Sequence, residues 1–234
     1  MKIDIILPCY NPIPGWSDNI LSAYQYLQNL APQFQLRIIL VNDGSSRNVS
    51  ATDFDKLTQQ LPHFHCISYD QNRGKGYAIR QGAALADAPY VVFTDIDFPY
   101  LEEDLLAVIN KLCAEQVDIV IGVRAGNYYT KVPTWRVFIS KMLKLMIRTL
   151  LRVSITDSQG GLKGFSQKGL DVLKTTQIDR YLFDLELIKL ASRRSDLNMQ
   201  PVVVNLKPHV VFAPVGLAIL RREFGNFIKV LLMR

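Results

Sequence analysis

Short apolar runs alternate with longer amphipathic stretches through the first half of the chain. Residues 3–8, 36–42, 64–69, 90–94 and 117–122 are rich in Ile, Val and Tyr and read as β-strands. Between them, apolar positions at helical spacing predict helices near 17–30, 53–61, 75–87 and 101–115. Strands that are apolar along nearly their whole length need cover on both faces. This βαβα rhythm therefore predicts an α/β fold, a doubly wound, mostly parallel sheet flanked by helices. Ligands of such sheets bind beyond the carboxyl ends of the strands. Polar residues gather there: Tyr10-Asn11 after the first strand, Asn42-Asp43-Gly44-Ser45 after the second and Asp95-Ile96-Asp97 after the fourth.

After Gly122 the pattern changes. Residues 136–152 read as one helix opened by Pro133, with Lys141, Lys144, Arg148 and Arg152 on one stripe and a mostly apolar remainder. Residues 218–234 repeat the theme: Leu220, Phe224, Phe227, Ile228 and Leu231 fall at helical spacing beside Arg221, Arg222, Lys229 and Arg234. Both segments could be core helices with solvated basic faces. The favoured reading is a pair of C-terminal amphipathic helices lying on an anionic membrane surface, because the first is too apolar for a small domain to bury easily.

Composition sharpens this division. A chain of 234 residues, 49% hydrophobic and 21% charged, suits one globular domain. Its net charge of +6 hides an acidic first half, −6 over 1–123, and a basic second half, +12 over 124–234. The run from Arg124 to Arg152 holds seven basic residues and no acid, a surface suited to anions. No apolar stretch reaches the roughly 20 residues that span a bilayer. The opening Met1-Lys2-Ile3-Asp4 fits a first strand better than a signal peptide. A cytoplasmic protein, peripherally attached to the cytoplasmic face of a membrane, is expected. Cys9, Cys66 and Cys113 show no CxxC spacing and read as buried free thiols.

Three segments carry chemistry. Asp95 and Asp97 stand at i and i+2 past a buried strand, where hard carboxylate oxygens suit Mg²⁺ or Mn²⁺ bridging a diphosphate. The same pair also serves as a turn, or as the start of the helix at Leu101. Asp43 has the same double reading within a good turn sequence. Asn72-Arg73-Gly74-Lys75-Gly76 leads into a helix with glycines for close backbone approach and two cations for phosphate, but it is neither a Walker motif nor a GxGxxG fingerprint.

In order, Leu7-Pro8-Cys9-Tyr10-Asn11, Val41-Asn42-Asp43-Gly44-Ser45, Asn72-Arg73-Gly74-Lys75-Gly76, Asp95-Ile96-Asp97 and Gly122-Val123-Arg124 resemble the successive signatures of family 2 inverting glycosyltransferases with the GT-A fold. The segments Asp157–Phe165 and Arg180–Glu186 are similar to the branch that glycosylates polyprenyl phosphates, especially dolichyl-phosphate β-glucosyltransferases. The resemblance covers about residues 3–190. Pro12, Pro99 and Gly160 depart from the branch's usual residues, and membrane contact is expected to fall to the two basic amphipathic segments rather than to the branch's usual anchors.

The resemblance implies one glycosyltransferase domain, with 1–123 binding the nucleotide sugar, 124–212 serving the acceptor and 213–234 forming a membrane-contacting tail. Pro8, Tyr10 and Asn11 would border the nucleotide, Asp43 the base and Lys75 the donor. Asp95, with Ile96 beside it, would face the ribose or a metal-bound water, and Asp97 would hold the metal. Arg124 and Arg136 match arginines placed near an acceptor phosphate. Asp157 and the Asp184/Glu186 pair remain open between general base, sugar orientation and a fold-stabilising partnership with Arg180.

The implied activity is inverting transfer of a hexose, UDP-glucose being the favoured donor, to a polyprenyl phosphate at the membrane surface. Such an acceptor is already ionised at neutral pH and needs no general base. A saccharide or protein hydroxyl acceptor is the enzymatic alternative. A non-enzymatic nucleotide- or nucleic-acid-binding protein is disfavoured, because aromatic residues are not interleaved with the basic ones and the acidic strand ends would repel a phosphodiester backbone. No nucleic-acid partner is expected, and no oligomeric state is assigned.

Overall fold

The computed structural model describes residues 1–125, 160–208, 210 and 217–233, the side chains of 217–222 excepted. The described strands form one sheet in the order β3-β2-β1-β4-β6-β5-β7. They are β1 (Lys2–Cys9), β2 (Gln35–Asp43), β3 (Phe64–Tyr69), β4 (Tyr90–Phe93), β5 (Ile119–Arg124), β6 (Lys163–Ser166) and β7 (Met199–Val204). Helices α1 (Trp16–Leu30), α2 (Ala51–Gln60), α3 (Lys75–Leu85) and α4 (Glu102–Glu115) link the first five strands. Helices α5 (Gln167–Thr175), α6 (Phe183–Ser192) and α7 (Leu217–Leu232) belong to the second half. The expected strands and helices of residues 3–122 are all present.

β1 pairs in parallel with β2 on one side and with β4 on the other. The chain therefore winds outward in opposite directions from β1, which makes the ends of β1 and β4 a topological switch point. β6 is the antiparallel member, inserted between β4 and β5, while β5 and β7 are parallel.

Each face of the sheet has its own core. Ile3, Ile5, Leu7 and Cys9 of β1 point to the side covered by α1, α2 and α4. Ile6 points the other way, toward Ala78 and Ile79 of α3, Phe183 and Leu187 of α6 and Phe227 and Val230 of α7. A strand buried on both faces reads as a continuous apolar run, which is why β1 and β2 lack the alternation of a half-exposed strand. Asp4 is the exception in β1. It is buried, and Arg37 grips it through Nε at 2.7 Å and Nη2 at 2.6 Å, while the N–H groups of Asp87 and Ala88 donate to it at 3.0 Å.

Helix starts follow local chemistry. Ser50 and Asp53 form a reciprocal capping box on α2, and the Ser166 hydroxyl caps α5. α4 begins after Leu101 and carries Glu102, Glu103 and Asp104 in its first turn, where the helix dipole favours acids. Asp97 therefore does not cap this helix.

One expectation about the cysteines is corrected. All three are free, but only Cys9 is buried; Cys66 is exposed and Cys113 intermediate. Cys66 lies on β3, the edge strand of the sheet, which is paired on one side alone. Burial pushes the Cys9 thiol up to about 12, so it stays protonated at neutral pH.

Among the described residues no helix is long and apolar enough to cross a membrane. The helix expected at 136–152, with Arg136 and its basic stripe, and Asp157 lie outside the described residues.

Candidate active site

β1, β2 and β4 end side by side, and the segments that follow them enclose a cleft of about 420 Å³. Pro8, Cys9, Tyr10 and Asp43 line it from β1 and β2, and Asn72, Gly74 and Lys75 from the entry to α3. Asp95, Arg180, Tyr181 and Glu223 complete the wall.

Asp43 organises the loop into α3. One carboxylate oxygen accepts from the Arg73 N–H at 2.7 Å, and the other from Gly74 N–H at 2.8 Å and Asn72 Nδ2 at 2.7 Å. The loop can take this shape because position 74 is glycine. Its φ of +113° is disfavoured for L side chains, and a Cβ there would lie 2.5 Å from the Asp179 carbonyl oxygen. Asn11 makes the neighbouring join: its side-chain oxygen accepts from the N–H groups of Ser46 and Arg47 at 2.9 and 3.0 Å. Asn11 holds a φ of +45°, a conformation that Asn tolerates better than most residues.

Lys75, the first residue of α3, pairs with Asp95 in the cleft lining. Burial works against the ammonium, but the Asp95 and Asp184 carboxylates outweigh it and hold its pKa above the usual lysine value. The chain then turns tightly, with the Phe98 N–H donating to the Asp95 carbonyl at 3.0 Å and Phe98 at a φ of +44°. This turn buries Phe98 and leaves Asp97 exposed. Protein surrounding the Asp97 carboxyl, together with the Asp95 charge, raises its pKa.

Two carboxylates two residues apart, Asp95 lining the cleft and Asp97 just beyond it in sequence, provide the hard oxygen donors that Mg²⁺ or Mn²⁺ prefers. Among the described residues no group of three or more His, Cys, Asp or Glu side chains could hold a metal ion. A cation at Asp95 and Asp97 would thus be completed by ligand or water oxygens, and it would relieve the Asp95 repulsion that adds to burial in raising the Asp97 pKa.

Behind the cleft lies a second ionic layer. Lys163 on β6 and Asp184 on α6 are both buried and pair at 2.6 Å, and Lys163 Nζ also donates to the Gly160 carbonyl at 2.6 Å. The partner of Asp184 is thus Lys163, not Arg180. Glu186 accepts from the N–H groups of Gln177 at 3.0 Å and Ile178 at 2.8 Å, so it fixes the α5–α6 connection. Tyr100 accepts from Gly161 N–H at 3.0 Å. Burial first and Asp95 next raise the Tyr100 pKa, while Arg124 and Lys75 oppose the rise, so Arg124 at the end of β5 shares this electrostatic neighbourhood.

Of the residues singled out in the sequence, Pro8, Tyr10, Asp43, Lys75 and Asp95 line the cleft. Asn11 shapes its loops, Ile96 packs against the core, and Asp97, exposed two residues beyond Asp95 and within reach of the Asp95 and Lys75 charges, is not among the lining residues. Sequence reasoning overlooked Arg180, Tyr181 and Glu223 as cleft residues. The Arg180 guanidinium has no hydrogen-bond or ion-pair partner among the described residues, which leaves a cation available to an anion in the cleft. Glu223 gave no signal, since its helix reads as a basic and apolar surface element.

Residues 4–173 match the family model described as Glycosyl transferase family 2. The dolichyl-phosphate beta-glucosyltransferase of Dictyostelium discoideum is 25% identical over 215 residues, covering 87% of this chain and 65% of that protein. The enzymes of the same name from Saccharomyces cerevisiae and Homo sapiens are each 27% identical, covering 82% and 81% of this chain. The chain spans 63% of the length of each of those two relatives. Among solved structures, glucosyl-3-phosphoglycerate synthase from Mycobacterium tuberculosis in complex with Mn²⁺, UDP and glucosyl-3-phosphoglycerate superposes with a TM-score of 0.67 at 17% identity. That match covers 99% of this chain and 78% of the other. The same enzyme with Mg²⁺ and UDP gives a TM-score of 0.65 at 15% identity, over 100% of this chain and 80% of the other.

Proposed function

Because the chain belongs to glycosyl transferase family 2, we propose that it transfers a hexose from a nucleotide sugar, UDP-glucose being favoured, to a polyprenyl phosphate with inversion at a membrane surface. One observation carries the reading: the strand-end cleft sets Lys75, Asp95 and Arg180 around one cavity, and the charges of Asp95 and Lys75 act on the neighbouring Asp97. A nucleotide diphosphate needs cations, and a divalent ion needs carboxylate oxygens. The named activity of the relatives supports the lipid acceptor.

Each residue then has a task. Tyr10 and Tyr181 are about half exposed at the cleft and offer apolar ring faces to a base or sugar. Asp43 keeps the Asn72–Gly74 loop in place beside the nucleoside. Lys75 and Arg180 meet the diphosphate, Arg180 with the forked geometry that matches phosphate oxygens. Asp97, with Asp95, would hold Mg²⁺ or Mn²⁺, which when bound stabilises the charge of the departing nucleotide diphosphate. Arg124 and Arg136 position the acceptor phosphate.

The acceptor oxygen is already anionic, so no side chain has to remove a proton from it. Asp184, paired with Lys163 behind the cleft, supports the site rather than acting as a base. Membrane attachment is peripheral. α7 presents Phe224, Ile228 and Leu232 on one exposed stripe, 64%, 37% and 72% accessible, while Phe227 and Val230 anchor its other side in the core. Lys189 donates to the Val230 and Leu231 carbonyls, and Arg193 to that of Met233, which ties the end of the helix down.

The deciding experiment is a panel of nucleotide sugars offered with a short polyprenyl phosphate, scored by product. Glycosyl-lipid formed from UDP-glucose with inverted anomeric configuration supports the proposal. Transfer only to saccharide or protein hydroxyls, with the lipid untouched, overturns the acceptor assignment.

A further inference from the structure

α7 lies beyond the residues matched by the family model, yet it places a carboxylate in the cleft. The two oxygens of Glu223 are used unequally. Oε2 accepts from the Leu182 N–H at 3.0 Å, at the start of α6, and from Asn226 Nδ2 at 3.4 Å. Oε1 is buried and has no hydrogen-bond partner among the described residues. An unsatisfied buried carboxylate oxygen is costly, and native structures rarely leave one without a purpose. Satisfying Leu182 requires only one oxygen, which a neutral amide would also supply, so capping does not account for the second.

Glu223 lines the same cleft as Arg180, Tyr181, Lys75 and Asp95. A carboxylate oxygen can only accept hydrogen bonds, and it repels phosphate. The groups of a nucleotide sugar suited to it here are the hydroxyls of its sugar rings, since Lys75 and Arg180 serve the diphosphate. We infer that Glu223 is a specificity-determining residue, its Oε1 accepting a hydrogen bond from a sugar hydroxyl of the bound donor. This inference deepens the nucleotide-sugar reading above and rests on it. The same hydrogen-bonding chemistry is offered by the ribose and by the hexose, and the choice of ligands separates them.

The test compares wild type with E223Q, which keeps an oxygen for the Leu182 N–H and turns the other position into a donor. Calorimetry with Mn²⁺ present would measure binding of UDP-glucose, UDP and 2′,3′-dideoxyuridine diphosphate, the last lacking both ribose hydroxyls. E223Q is expected to weaken UDP-glucose about tenfold, as for a hydrogen bond to a charged group, and to leave the dideoxy ligand unchanged. A loss shared by UDP assigns the bond to the ribose, and a loss confined to UDP-glucose assigns it to the hexose; either supports the inference. Equal weakening of all three ligands, or of none, overturns it and reduces Glu223 to a helix cap. If wild type binds none of the three, the nucleotide-sugar reading itself falls, and this inference with it.

Discussion

Lys163 on β6 and Asp184 on α6 form an ion pair at 2.6 Å with 0% and 5% of their side chains exposed. Such a pair contributes little net stability, because desolvation of both charges offsets their attraction, but removing one partner strands the other. Asp184→Asn should therefore destabilise the fold by about 3–5 kcal/mol, and Lys163→Met combined with Asp184→Leu should recover most of that loss. Urea denaturation of the single and double variants checks this. Burial outweighs Lys163 and Lys75 and raises the Asp184 pKa, so the folded state holds this proton more tightly than the unfolded chain. The stability of wild type relative to the double variant should accordingly decline as pH rises from about 4 through the raised folded value.

Asp97 tests the cation site. Its side chain is exposed, so Asp97→Ala should leave stability within about 0.5 kcal/mol of wild type while transfer falls a hundredfold or more. A chelator should abolish wild-type transfer, and added Mn²⁺ or Mg²⁺ should restore it. Because the Asp97 pKa is raised, cation binding should weaken on acidification at a higher pH than for an ordinary carboxylate. Full activity of Asp97→Ala, or of exhaustively chelated wild type, would remove the metal from the reaction.

The exposed stripe of α7 makes a prediction about membranes. Replacing Phe224, Ile228 and Leu232 with Ser should cut sedimentation with anionic liposomes sharply and leave the thermal midpoint near wild type, since none of the three is buried. Binding of wild type should also fall with added salt, each basic residue near the surface contributing about 1 kcal/mol before screening. Wild type absent from anionic and neutral pellets alike would sink the assignment.

Arg124 and Arg136 separate the acceptor classes. If both hold an acceptor phosphate, replacing either with Ala should lower transfer ten- to a hundredfold, about 1.5–3 kcal/mol, while donor binding changes less. Lysine should rescue only part, lacking the forked geometry. Steady-state kinetics with the lipid phosphate varied at saturating donor would measure this. Near-normal kinetics of both alanine variants would point instead to a hydroxyl acceptor.

Hydrophobic periodicity by itself determined the first five strands and four helices, because β1 and β2 are buried on both faces and leave a continuous apolar run, while α1 to α4 carry their burial at helical spacing. The lining of the strand-end cleft was equally legible, since Pro8, Tyr10, Asp43, Lys75 and Asp95 follow directly from where parallel strands stop. The antiparallel entry of β6 was not legible, because strand order depends on pairing between segments far apart in the chain. Nor was the exposure of Cys66, which follows from β3 being the edge strand rather than from its neighbours in sequence. The partner of Asp184 was decided in the same way: Arg180 lies four residues away in sequence, yet the helix turns Asp184 inward to Lys163 on the sheet. Glu223 is the furthest such case, a lone acid in a basic helix whose meaning arises only when α7 packs on α6 and brings it into the cleft. Local pattern encodes which face of an element is buried; which elements meet, and hence which charges share a site, is set by tertiary packing.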